Sequence, residues 1–232
     1  MRVPRAYIVS RNDFVHLVWK CHNDDPLLQD NRIKDKIIDL YFANQKKYQI
    51  KIYAFNILDN HCHFLIQTSN ARYLGEFTRT VHSQVSKFIN LVHNRNSQAI
   101  KDRYKSPPIR TLTYMNHLLG YIWLNKYKSN SKHNPLNDRY CSLYHRVKRT
   151  NLGKKLFPLS DLGFPRQADR SLRFLKKLVL QYIDDLNGRI TPPRKVLGVL
   201  TSILSIGPHQ APKYHNELPD LLKQRRLRPI PS

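Results

Sequence analysis

The segment Asp59-Asn60-His61-Cys62-His63-Phe64-Leu65-Ile66 sets two imidazoles two residues apart, in a run of aliphatic and aromatic residues that reads as a β-strand. Side chains alternate faces along a strand, so His61 and His63 point the same way, roughly 7 Å apart, and can close on one metal ion. Further along, Tyr121 and Asn125 stand four residues apart, which makes them neighbours on one face of a helix. If that helix lies across the histidine strand, Asn125 supplies a third, oxygen ligand, with Glu76 or Asp59 as alternatives, and Tyr121 holds a hydroxyl close to the ion. The chemistry such a group offers is phosphoryl transfer. A phenol with an ordinary pKa of about 10 is a poor nucleophile until a cation polarises the phosphate it attacks. Two imidazoles and a carboxamide oxygen, with positions left for water and phosphate oxygens, suit Mg²⁺ or Mn²⁺. Attack leaves a phosphotyrosine bond that conserves the energy of the broken phosphodiester, so a strand can be rejoined without ATP. The bland alternative makes Tyr121 an ordinary core aromatic beside Leu118 and Ile122. Tyr114 and Tyr127 compete with it less well, being almost two turns away and on the far side of the helix from Asn125.

These groups need a scaffold. Residues 14–21, Phe-Val-His-Leu-Val-Trp-Lys-Cys, predict a first strand, and Ile33, Ile37, Leu40 and Tyr41 recur at helical spacing to predict an amphipathic helix over 28–46. A second strand over 48–57 turns at 58–60 into the histidine strand, which runs to Thr68 and pairs with it as a hairpin. Leu74, Phe77, Val81, Val85, Phe88 and Val92 predict a structural helix over 73–94. From Arg103 to Leu112 the pair Pro107-Pro108 forbids a regular ladder and predicts an irregular edge strand, and a third helix follows over 114–128. The order β-α-β-β-α-β-α describes an α+β fold, an antiparallel sheet carrying helices on one face, with the two histidines on its open face. Strand alternation turns Cys62 away from them, into the core. His16, His82, His93 and His117 have no partner legible in sequence and default to surface or packing roles. Beyond Tyr144 the pattern loosens into Pro, Gly and basic residues. Leu172, Leu175, Val179, Tyr182 and Leu186 then predict a helix over 169–187, stopped by Asn187-Gly188, and Lys223 to Arg228 form a basic tail.

With 232 residues, 41% of them hydrophobic, the chain has material for one substantial core and an appendage, read here as a main domain over 1–145 and a basic, partly helical extension over 146–232. Forty Lys and Arg against 16 acidic residues leave a formal charge of +24, which favours nucleic acid over acidic proteins or membrane as partner. Cations mix with aromatics in Arg103-Tyr104-Lys105 and Lys126-Tyr127-Lys128 and gather again in Arg146-Val147-Lys148-Arg149, an arrangement suited to tracking a single strand. Three widely spaced cysteines, Cys21, Cys62 and Cys141, suggest neither a disulfide framework nor a zinc knuckle. No apolar run approaches the roughly 18 residues of a membrane span, and the N-terminus lacks the apolar core of an export signal, so a soluble cytoplasmic protein is expected.

Asn60-His61-Cys62-His63-Phe64-Leu65-Ile66 resembles the NHxHLL strand of the HUH single-tyrosine transposases, in particular the bacterial REP-associated tyrosine transposases. Tyr121-Ile122-Trp123-Leu124-Asn125 resembles their YIxxN helix, and Val15-His16-Leu17-Val18-Trp19-Lys20 their opening YHVxxR segment. The likeness covers about residues 5–145. It departs at Leu58-Asp59, where the family carries Met-Pro, at Cys62, where it carries an aliphatic, and at Lys126 to Ser129, where it carries PxRA. The resemblance implies a ferredoxin-like HUH endonuclease core. It also implies a metal-dependent endonuclease and strand transferase acting on single-stranded DNA beside a hairpin, through a 5′-phosphotyrosine. His61, His63 and Asn125 would be metal ligands and Tyr121 the nucleophile, in a monomer or homodimer working on the bacterial nucleoid. The other reading is a non-catalytic or domesticated nucleic-acid-binding regulator on the same fold.

Overall fold

A computed structural model describes residues 9–129, 133–166, 168 and 169; the helix expected from Leu172 to Leu186 and the basic tail at 223–228 lie outside the described residues. The chain divides into two compact units, Met1–Ile109 with Lys155–Phe157, and Arg110–Lys154 with Pro158–Ser232.

The first unit contains β1 (Phe14–Cys21), α1 (Asn31–Asn44), β2 (Ile50–Ile57), β3 (His61–Thr68), α2 (Ala71–Val92) and β4 (Ile100–Lys105). Its sheet has the order β2-β3-β1-β4 with every pair antiparallel, so β1 and β2 run parallel with β3 inserted between them. This is the split βαβ arrangement. The β-branched and aromatic strands and the helical periodicities fall where the sequence places them, with ends shifted by a few residues. Caps set the helix starts: the Asp30 side chain accepts from the Arg32 N–H and the Asn70 side chain from the Tyr73 N–H. The expected edge strand is present but begins earlier, at Ile100, and ends before Pro107-Pro108. A proline has no N–H for the ladder, so the chain continues irregularly beside β1, the His16 N–H donating to the Pro107 carbonyl at 3.1 Å and the Ile109 N–H to that of Phe14 at 2.8 Å.

One sheet face packs against both helices. Val15, Leu17, Trp19, Cys62, Phe64 and Ile66 point there, all buried, against Ile33, Ile37 and Tyr41 of α1 and Leu74, Phe77 and Val81 of α2. Tyr41 joins three elements. Its ring stacks on Phe64 with centroids 3.8 Å apart, its hydroxyl accepts from Trp19 Nε1 at 2.9 Å, and it hydrogen-bonds His82 Nε2 at 3.1 Å. His82, expected to lack a specific partner, therefore has one. Lys34 of α1, itself buried, reaches Asp59 at 2.6 Å and ties the helix to the turn that precedes the histidine strand. Cys62 lies in this core as alternation requires, and burial pushes its thiol well above the ordinary range.

The other face is not open. His63 is only 3% exposed and His16 8%, and Leu65, Ala54 and Asn56 are buried with them. Part of the reason lies in composition: Phe14, Tyr53, Ala54 and Leu65 make this face apolar enough to require cover. Phe157 supplies some of it, its N–H bonded to the Ile52 carbonyl at 2.9 Å and its ring 5.9 Å from that of Tyr53.

The second unit contains α3 (Leu112–Ser129), α4 (Ser142–Lys148) and α5 (Asn151–Lys155), then a 3₁₀ turn over Leu159–Leu162. Met115, Leu118, Leu119, Ile122, Trp123 and Leu124 bury α3 almost all round, and Trp123 Nε1 donates to Ser142 Oγ at 3.0 Å. The two short helices were not expected, because segments of seven and five residues are too brief to show a period. They meet at a tight corner. Arg149 caps α4 in the left-handed region at φ 53°, and Gly153 approaches α4 so closely that a Cβ there would run into the His145 carbonyl oxygen.

Tyr41→Phe removes one hydroxyl that serves both Trp19 and His82. Leaving the buried Trp19 N–H unsatisfied is expected to destabilise the protein by about 1–3 kcal/mol, read from chemical denaturation, with little change in near-neutral secondary structure by circular dichroism.

Candidate functional site

Strand register decides what surrounds the histidines. In the β1–β3 ladder Lys20 pairs with His61 and Val18 with His63, and in the β2–β3 ladder Asn56 pairs with His63. Directly paired residues share a face, so Lys20, Val18 and Asn56 stand beside the imidazoles. The β1–β4 ladder extends the row, pairing Lys101 with Lys20 and Lys105 with Val18. Asp24 sits 3.4 Å from the Lys20 ammonium and 3.8 Å from that of Lys101. The histidine face thus continues into a strip of cations on β1 and the edge strand.

The imidazole rings of His61 and His63 are perpendicular, with centroids 4.8 Å apart. Each has a polar partner at Nδ1. For His61, the hydrogen-bond directions fix the tautomer. Asn60 Nδ2 donates to the Asp24 carbonyl at 3.1 Å, which turns Asn60 Oδ1 toward His61 Nδ1 at 2.6 Å. An amide oxygen only accepts, so Nδ1 carries the hydrogen and Nε2 keeps its lone pair. His63 Nδ1 lies 2.9 Å from His16 Nε2, with the two rings stacked at 5.1 Å. Burial pushes His63 down to about 2, with the neighbouring His16, His61 and Lys20 adding to the effect, and pushes His16 down to about 4. Burial, then Lys20, also lowers His61. All three are therefore neutral near pH 7, the state in which an imidazole can bind a cation. This donor set fits a divalent ion: a lone pair on His61 Nε2 and a neighbouring neutral ring, each ring oriented by a partner at Nδ1. Among the described residues no group of three or more His, Cys, Asp or Glu side chains is arranged to hold a metal.

Tyr121 and Asn125 are half-buried on α3, together with His117 one turn earlier and Tyr114 at the exposed end of the same stripe. Residues 114, 117, 121 and 125 lie three or four apart and so form one polar line along α3. The histidine pair belongs to the first unit and the Tyr121–Asn125 pair to the second. The alternative oxygen ligands are engaged elsewhere: Glu76 lies on α2, behind the opposite sheet face, and accepts from Arg72 at 2.9 Å, while Asp59 holds Lys34.

The basic clusters differ in what they can offer. Arg103 and Lys105 are exposed on β4 with Tyr104 buried between them. Lys126 lies 3.5 Å from Asp138, whose carboxylate also meets His133 at 3.0 Å. Burial would raise that carboxyl, but the bonds from His133 and the Tyr140 N–H outweigh it and hold it below the usual range. The Lys128 side chain lies outside the described set. Arg146 is buried and paired with Asp169, whereas Lys148 and Arg149 are exposed. Sequence reasoning passed over His16, Asn60, Lys20 and Lys101, whose relevance depends on register, and His117, whose four-residue spacing from Tyr121 was legible.

A family model described as "Transposase IS200 like" matches residues 11–135, more than half of the chain. The chain belongs to the IS200-like transposase family. The matched region of this transposase-family chain contains His61, His63, Tyr121 and Asn125. Among solved structures, it is similar to a REP-associated tyrosine transposase bound to a REP hairpin, at 16% identity and a TM-score of 0.49, over 64% of this chain and 87% of that one. No curated protein sequence matches it significantly. No helix among the described residues is long and apolar enough to cross a membrane.

In long-range ¹H–¹⁵N spectra near neutral pH, His61 is expected to show the Nδ1–H tautomer. Asn60→Ala removes the only acceptor assigned to that hydrogen, and the signal should move toward the Nε2–H form that free imidazole prefers; an unchanged spectrum would show that Asn60 does not set it.

Proposed function

We propose that the chain is a metal-assisted endonuclease and strand transferase for single-stranded DNA, acting beside a hairpin, with residues 1–145 as the catalytic part and the basic extension from 146 onward helping to grip the strand. The observation that carries this reading is the family match across both motifs, joined to a neutral, oriented histidine pair on one sheet face. His61, His63 and the Asn125 carboxamide would hold a divalent ion, Mg²⁺ or Mn²⁺, which would supply positive charge to polarise the scissile phosphate. Asn60 and His16 fix ring orientation, and burial keeps protons off the rings. Lys20, opposite His61, adds a cation beside the phosphate, and Lys101, Lys105 and Arg103 continue the strip along which the backbone runs.

Tyr121 acts as nucleophile. Its oxygen forms a new bond to phosphorus while the bond to the 3′ oxygen breaks; the phenolic proton is lost and the departing oxygen takes one up, leaving a 3′ hydroxyl and a 5′-phosphotyrosine. Attack by another 3′ hydroxyl reverses the step and joins a strand. The hairpin is proposed from the resemblance of the two motifs.

The decisive assay incubates the protein with a labelled hairpin-bearing oligonucleotide and Mn²⁺ and resolves covalent adduct on denaturing gels. Tyr121→Phe is expected to abolish the adduct while leaving binding nearly intact, because only a hydroxyl is lost. His61→Ala should remove cleavage together with its dependence on divalent ion, and Asn60→Ala should weaken Mn²⁺ binding by about 10–100-fold, as loss of a group that orients a metal-binding imidazole typically does. Binding without any adduct in the unaltered protein would instead support the regulator reading. For Lys20→Gln, the plot of log affinity against log salt should flatten by about 0.7, the value for one phosphate contact on a single strand.

A further inference from the structure

The second unit holds a cavity of about 410 Å³ lined by His145, Arg146, Arg149, Gly153, Lys154 and Asp169. Its charges are unequal in their availability. Arg146 is buried against Asp169, whose other oxygen accepts the Leu159 N–H at 2.7 Å, so this pair is wall rather than ligand. His145 uses both ring nitrogens, Nε2 donating to the Arg139 carbonyl at 2.7 Å and Nδ1 accepting from Thr150 Oγ1 at 2.7 Å, and burial lowers its pKa, so it adds no charge. What remains is Arg149 and Lys154, both exposed, with no acidic side chain paired to either among the described residues. Two cations at the mouth of a cavity call for an anion.

The backbone at Arg149 points the same way. A non-glycine residue in the left-handed region carries a conformational cost, and this helix cap is a position where glycine would sit without one. The volume narrows the ligand. Pockets for whole small molecules run from about 300 to 1,000 Å³, so this cavity has room for one nucleotide, well beyond a bare phosphate.

We propose that this cavity binds one nucleotide of the DNA strand, its phosphate held between Arg149 and Lys154 and its sugar and base in the remaining space of the cavity. The assignment rests on the nucleic-acid reading above but not on the cleavage chemistry. Arg149→Gly is the informative variant, because it deletes the guanidinium and relieves the backbone at once, so its melting temperature should not fall.

The test is fluorescence anisotropy with a labelled single-stranded oligonucleotide in EDTA, using the full chain, Arg149→Gly, Lys154→Gln, the double variant and an exposed control, Lys46→Gln. The double variant should bind at least about tenfold more weakly and flatten the salt dependence by about 0.7–1.4, for one or two phosphate contacts, while the control keeps its slope. Melting curves with deoxythymidine monophosphate or inorganic phosphate separate the sources. Oligonucleotide affinity equal to the control's overturns the proposal, even if the mononucleotide or phosphate still stabilises the protein, and so does a loss of affinity that merely tracks unfolding. Adduct formation at saturating strand is scored separately. If pocket variants bind normally yet the parent forms adduct, only the cavity assignment fails; if affinity depends on the cavity but no adduct forms, only the nuclease reading fails.

Discussion

The antiparallel seam between β1 and β3 determines nearly everything about the histidine face. A strand side chain gains its neighbours from register, and a slip of one residue would turn His61 and His63 into the helical core and bring Cys62 out in their place. Register is held on the core side by Trp19, Phe64 and Tyr41, whose burial and hydrogen bonds tolerate one alignment. The apolar side of the sheet thus enforces the geometry of the polar side. That is why a hydroxyl on α1, remote from the imidazoles, matters to where they sit.

Burial has a second effect on the same face. An exposed histidine pair beside Lys20 would be partly protonated in mildly acidic surroundings and would repel a metal ion. Enclosure pushes His63 and His16 far below that range, so the rings stay neutral. Their orientation comes from polar partners. Asn60 lies next to His61 in sequence, and its amide is aimed by a backbone carbonyl from the loop after β1. The loop, the turn and the strand end are therefore one hydrogen-bonded assembly, anchored to α1 by Lys34 through Asp59.

The strands were legible from their β-branched and aromatic composition, and the amphipathic helices from the period of their buried face. The near-continuous apolar runs through Phe14–Cys21 and His61–Thr68, and the stripe from Leu74 to Ile89, are direct imprints of packing. Two kinds of information were not in the pattern. One is cross-strand neighbourhood, which made His16 look solitary although it lies against His63. The other is cover: a face bearing two histidines and a lysine reads as open, yet the Leu65, Ala54 and Tyr53 beside them are as buried as any core residue. The corner between α4 and α5 was missed for a third reason, since its definition rests on one left-handed arginine and one close glycine contact, neither of which leaves a period.

The distribution of charge explains why +24 does not act as a uniform coat. Several cations are neutralised where they stand: Lys34 by Asp59, Arg32 by Asp30, Lys126 by Asp138 and Arg146 by Asp169. Each of these pairs holds a turn, a cap or a wall in place. With only 16 acids in the chain, pairing of this kind withdraws the carboxylates from the remaining surface. Among the described residues, exposed cations stand on the edge strand, at Arg103 and Lys105, and at Arg149 and Lys154. A polyanion meets fields of one sign at those places, and because solvent and salt screen them within about 10 Å, contact with a strand depends on these local strips more than on the net charge.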